Sequence, residues 1–128
     1  MPRNLYVVFS SPPEGVSWDE YNRWYDLHGR ENILTRGFAG VTRYKVNRVV
    51  VGSRVAPKQF EAVGGAGGAM FDHNHMAVFE FDGAIETVRA DLLNRVERGD
   101  IVLPDWFDGI EFETWNGVPI GERVEPAR

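Results

Sequence analysis

The spacing of apolar and polar positions changes period along the chain, and each change marks an element. Asn4 to Ser10 is short, β-branched and aromatic, and Ser11-Pro12-Pro13 closes it, which predicts a first strand. From Ser17 the period becomes helical. At about 100° per residue, Trp18, Tyr21, Trp24, Tyr25 and His28 fall within roughly a third of the circumference. Ser17 and Glu20 have the capping-box spacing, Asp19 suits the first turn, and Val16 and Tyr21 are placed for a hydrophobic staple. Gly29 has the position of a C′ residue, so the helix is expected to end at His28. Gly37-Phe38-Ala39-Gly40 punctuates, and Val41 to Val51 reads as a second strand. Gly52 to Phe71 reads as a long glycine-rich loop, His75 to Asp82 as a third strand. Ile85, Val88, Leu92 and Val96 predict a second helix, starting at Asp82 or Gly83 and ending before Gly99. After Pro104, Gly109 to Asn116 predicts a fourth strand. A polar tail follows over about 117–128.

The order is β-α-β-β-α-β, the split-βαβ or ferredoxin-like arrangement of the α+β class: one four-stranded antiparallel sheet with both helices on one face. The strands then carry too much apolar surface for that arrangement alone. Leu5, Val7 and Phe9 oppose Tyr6 and Val8; Ala77, Phe79 and Phe81 oppose Met76 and Val78; Ile110 and Phe112 oppose Trp115. Two helices cover one face, and each large side chain left wet on the other forgoes about 1.5–3 kcal/mol. A second copy of the sheet is the expected cover, so the chain is expected to be a homodimer.

Composition narrows the function classes. Hydrophobic residues are 43% and charged residues 26% of the chain, as in a globular protein, and 1–128 is expected to be a single domain. The net charge of −5 argues against nucleic acid as a partner. With no cysteine, disulfides, thiolate metal sites and a Cys nucleophile are excluded. Leu5 to Phe9 is too short for a signal or membrane segment, so no membrane partner is expected and a cytoplasmic location follows by default.

The candidate chemistry concentrates between Ser17 and Tyr44. His28 is an imidazole at the exit of an aromatic stripe, suited to proton transfer. Its position at a helix end favours the protonated form and burial among aromatics favours the neutral one, so its charge is left open. Tyr44 is a candidate donor to a developing enolate or phenolate, and His75 a second proton-transfer group. Tyr21, Trp24, Tyr25 and Arg43 are candidate substrate contacts. His73 and His75 share a face at period two, but no third ligand follows at a diagnostic spacing, so no metal is expected. Glu80, Glu111 and Glu113 read as cross-strand ion-pair or rim carboxylates. Gly64-Gly65-Ala66-Gly67-Gly68 lacks the spacing and the Lys-Ser/Thr of a phosphate loop and leads into a strand.

The run Tyr21-Asn22-Arg23-Trp24-Tyr25-Asp26-Leu27-His28, followed by Gly37-Phe38 and Tyr44, resembles the EthD-like members of the dimeric α/β-barrel superfamily. The resemblance is sharpest over residues 18–46. Relatives usually follow the histidine with Leu-Pro or a similar pair, where this chain has Gly29-Arg30-Glu31-Asn32. It implies a dimer whose two sheets close into a barrel, with a pocket in each subunit between sheet and helices. It further implies a cofactor-independent lyase, isomerase or cyclase acting by proton transfer on a small aromatic, lactone or polyketide-like compound. His28 and Tyr44 match a histidine and a tyrosine thought to act together in muconolactone-type isomerases. A non-catalytic ligand-binding or accessory protein of a degradation pathway is the other implied reading.

Overall fold

The computed structural model describes residues 3–47 and 73–127. Strand β1 is Asn4–Ser10, helix α1 Trp18–Asn32, β2 Phe38–Lys45, β3 His75–Phe81, α2 Ile85–Glu97 and β4 Glu113–Gly117. All pairings are antiparallel and the strand order is β2-β3-β1-β4. The expected βαββαβ order is therefore present. The expected loop Gly52 to Phe71, and the 48–51 end of the second strand, lie outside the described residues.

Alternation along β3 sorts the faces. His75, Ala77, Phe79 and Phe81 are buried toward the helices, while Met76, Val78 and Glu80 point the other way. Tyr6, Val8 and Ser10 of β1 join the helix side, where Val8, Phe79 and Ala77 pack with Tyr21 and Tyr25 of α1. The other face presents Leu5, Val7 and Phe9 beside Val78, Met76 and Trp115, all of them half-buried or exposed.

Helix α1 begins as expected, with Ser17 Oγ accepting from the Glu20 amide at 3.1 Å. The Glu20 carboxylate accepts from Trp106 Nε1 at 3.2 Å. The helix does not end at His28. It runs through Gly29 to Asn32, and the cap amide of Ile33 reaches Gly29 O at 3.0 Å. Gly29 is buried, and a Cβ there would stand 3.9 Å from both Arg43 Cδ and Val41 Cγ1. It sits in the helix interior, where the backbone runs close over β2. Gly29→Ala is therefore expected to stabilise the protein by about 0.5–1 kcal/mol, through helix propensity and ordinary contact. Urea denaturation checks this; a loss of stability would mean that the backbone at 29 leaves the helix.

From α2, the buried Arg95 holds the end of α1, with Nη1 donating to Glu31 O at 2.6 Å and Thr35 Oγ1 at 2.9 Å. A cation at the negative end of the helix dipole is favourable there. Helix α2 starts after Ala84, later than the expected Asp82 or Gly83, and has no side-chain cap.

Strand β4 is shorter than the expected Gly109 to Asn116. A 3-10 turn at Phe107–Gly109 puts Ile110 into the core, and pairing with β1 begins only at Glu113. A bulge between Phe38 and Gly40 shifts the β2–β3 register. The tail beyond Gly117 is exposed, without regular structure over the described residues.

Candidate active site

Between sheet and helices lies a half-open cavity of about 200 Å³. Tyr25, His28 and Asn32 line it from one edge of α1, with spacings of three and four residues that bring successive turns to one face. Tyr6 and Val8 of β1, Phe38 and Phe79, and Leu92 of α2 form its apolar walls. Phe112 and Thr114 close the β4 side. Phe38 stacks on Phe79 with ring centroids 4.7 Å apart, so one wall is flat and aromatic.

His28 is 8% exposed. Its ring lies over Trp24, centroids 4.6 Å apart and 23° from parallel, and meets the edge of Tyr25 at 5.3 Å. Burial lowers its pKa to about 4, so the imidazole is neutral at pH 7. Its Nδ1 is buried without a hydrogen-bond partner, and no described residue fixes its tautomer. Asn32, one turn further and 6% exposed, has a buried and unpartnered Oδ1. Leaving a buried polar group unpaired costs about 1–3 kcal/mol. Two such groups on consecutive turns of one helix, both lining a cavity, are a costly arrangement for a protein that binds nothing there.

Asn32 is the member of the site that the sequence reading missed. A helix stopped at Gly29 leaves it in a turn; a helix continued through Gly29 sets it four residues beyond His28 on the same stripe. The signal was the i, i+4 spacing itself.

His75 belongs to a second polar cluster. Arg43 Nε donates to His75 Nε2 at 3.2 Å, which places the ring proton on Nδ1, where Ser10 Oγ stands 3.5 Å away. Ser10 Oγ is in turn hydrogen-bonded to the Tyr21 hydroxyl. Arg43 also donates to Asn22 Oδ1 and pairs with Asp26 at 3.6 Å. Burial, with the Arg43 charge adding to it, lowers the His75 pKa to about 4. Burial pushes the Tyr21 hydroxyl up to about 12 against the opposing effects of Ser10 and Arg43. Tyr25 lies between the two histidines, its ring centroid 4.2 Å from that of His75, and burial raises its pKa well above the usual phenol range. A separate cleft of about 330 Å³, open to solvent, is bounded by Trp18, Asn22, Arg43, Tyr44, Lys45 and His75.

The expected grouping of His28, Tyr44 and His75 is therefore not assembled. Register pairs Tyr44 with Met76, on the sheet face turned away from the helices, and the side chain is 46% exposed. The cause is the bulge: Phe38 faces the helices, but the extra residue inverts the parity, so that Val41 and Arg43 face them and Tyr44 does not. Of the expected substrate contacts, Tyr25 lines the cavity. Trp24 stands behind His28, Tyr21 is fully buried in the core, and Arg43 is in the second cluster. His73 lines an open cleft with Glu111, Phe112 and Glu113. Glu80 lies 3.7 Å from Arg3. Among the described residues no three His, Asp or Glu side chains gather as a metal site, and no described helix is long and apolar enough to cross a membrane.

A crystal structure described as a dabb family protein with a ferredoxin-like fold, from Mesorhizobium loti, matches 94% of this chain and 100% of its own. The TM-score is 0.51 at 13% sequence identity. The shared fold is ferredoxin-like. No protein-family model matches the chain, and no curated protein does. In this ferredoxin-like frame the His28 cavity occupies the space between helices and sheet.

Proposed function

We propose that the chain is a cofactor-independent lyase, isomerase or cyclase of the EthD-like kind, which binds a small aromatic, lactone or polyketide-like molecule in the His28 cavity. One observation carries the reading: His28 and Asn32, each more than nine-tenths buried, line the same cavity, and each carries a buried polar atom that no described group satisfies. Neutral His28 is the base, Asn32 orients the ligand, and Tyr25, held protonated by burial, is available as a donor. The cavity is smaller than the roughly 300–1,000 Å³ of drug-sized sites, which suits one or two fused rings.

The test is a thermal-shift screen of phenolic and lactone compounds at pH 7. A ligand at about 100 times its Kd is expected to stabilise the wild type by about 2.7 kcal/mol. Leu92→Trp, which fills the cavity, is expected to remove that shift; a shift unchanged in this variant would place the ligand elsewhere. One observation favours a second reading, a non-catalytic binding or accessory protein: neither Tyr44 nor His75 lines the cavity to share proton transfer with His28. Binding without turnover of any bound compound would decide for it.

The assembly belongs to the same proposal. The sheet face turned away from the helices carries Leu5, Val7, Phe9, Val78 and Trp115 side by side. A second copy, laid face to face to close a barrel, shelters them. Val78→Asp puts a carboxylate at the centre of that interface and is expected to yield monomers by sedimentation while the far-UV CD stays that of the wild type. A wild-type protein that sediments as a monomer at micromolar concentration would end the dimer proposal.

A further inference from the structure

We infer that the cavity takes an uncharged planar molecule and rejects its carboxylate counterpart, because among the described residues none of the side chains lining it is Lys, Arg, Asp or Glu. The inference rests on the cavity being the ligand site, and it narrows what that site accepts. The aromatic ligands and lactones of this size divide into neutral compounds (phenols, enols, ketones, lactones) and acids bearing a carboxylate. The two classes demand different walls. A buried carboxylate needs a cation or several fixed donors around it, since an unpaired charge taken from water into an apolar site is strongly disfavoured.

No cation among the described residues is placed to help. Arg43 stands over the Tyr25 ring at 5.4 Å, but its donors are directed to His75, Asn22 and Asp26. Arg89 lies 5.9 Å from the centre of the Tyr6 ring and is not among the lining residues. Arg95, the buried guanidinium on α2, donates to Glu31 O and Thr35 Oγ1 at the end of α1. What faces the cavity is neutral: the His28 imidazole, the Asn32 amide, the Thr114 hydroxyl and the two tyrosines. Those groups match a hydroxyl, carbonyl or amide. The stacked Phe38 and Phe79 rings add a flat wall that favours a planar framework.

The test compares naphthol, naphthamide and naphthoate by calorimetry at pH 7.5, on the wild-type protein and on Leu92→Trp. The amide and the acid share one shape and differ in charge. Naphthol and naphthamide are expected to bind the wild type, and naphthoate at least about 100-fold more weakly. Naphthoate binding within about threefold of naphthamide, and lost in Leu92→Trp, would overturn the inference and leave the site in place. If none of the three binds, or if all bind Leu92→Trp as they bind the wild type, the cavity is not the ligand site and the inference falls with it.

Discussion

Acid is expected to unfold this protein by titrating two imidazoles that the fold keeps neutral. His28 and His75 each have a folded pKa of about 4, lowered by burial, and in His75 also by the Arg43 charge. In the unfolded chain each returns to about 6.5. Between those values the unfolded state binds more protons, so stability rises with pH there and is lost as pH falls. The contribution is complete above pH 6.5 and levels off below pH 4. Each ring accounts for about 2 kcal/mol of lost stability at pH 5 and about 3 kcal/mol at pH 4, relative to pH 7. Two such losses are comparable with the whole stability of a small domain, about 5–15 kcal/mol. Urea midpoints measured from pH 7 to pH 5 at fixed protein concentration check this. His28→Gln and His75→Gln are each expected to remove about half of the wild-type slope. A slope unchanged in the double variant would show that carboxylates, and not these rings, govern the acid transition.

The contrast between the two histidines explains their separate fates. His75 accepts from Arg43 and has Ser10 beyond it, so its neutral form and its tautomer are both fixed by neighbours. It does structural work in joining α1, β1, β2 and β3. His28 has aromatic rings around it and no hydrogen bond on Nδ1 from the described residues, so none of them fixes its tautomer. Burial alone suppresses its charge. A reactive group needs that freedom, and a core histidine does not.

How much of this was legible in the sequence follows from which signals are local. The strand β1 is the stretch Asn4–Ser10 that its apolar run and its Pro-Pro terminator mark out, and the Ser17 cap is where the spacing puts it. These depend on residues within a few positions of one another. The misreadings share a different origin. Gly29 has the identity of a helix stop, yet the close approach of α1 to Val41 and Arg43, twelve and fourteen positions further along the chain, makes it an interior residue. Ending the helix there hid Asn32. Tyr44 has the right spacing from Phe38 for the helix face, until one bulged residue inverts the strand. Ile110 and Phe112 alternate like a strand, but the 3-10 turn before them redirects the chain into the core. In each case a tertiary contact, absent from any short window, overrides a sound local preference.

Replacing His28 with alanine is expected to lower turnover of the true substrate by about 10²–10⁴-fold, the usual worth of a positioned general base. The direction of its pKa shapes the chemistry it can perform. With a pKa of about 4 the ring is fully in its basic form at pH 7, but it is a weak base. As the proposed base it would remove only protons that are already acidic, such as those of a phenol or of carbon flanked by carbonyl groups, unless the anion it creates stays beside it. On the proposed reading that condition is met in a cavity whose described lining carries no other charge: the new imidazolium and the new enolate or phenolate would form an ion pair between largely apolar walls, where they attract more strongly than in open water. The burial that suppresses the charged form of the free protein would thus favour the pair once both charges appear together. Asn32→Leu, by contrast, removes the proposed orienting group and is expected to raise KM more than it lowers kcat. Measuring both constants in both variants separates the roles. Wild-type kcat in His28→Ala, with the fold intact by CD, would place the base on another residue.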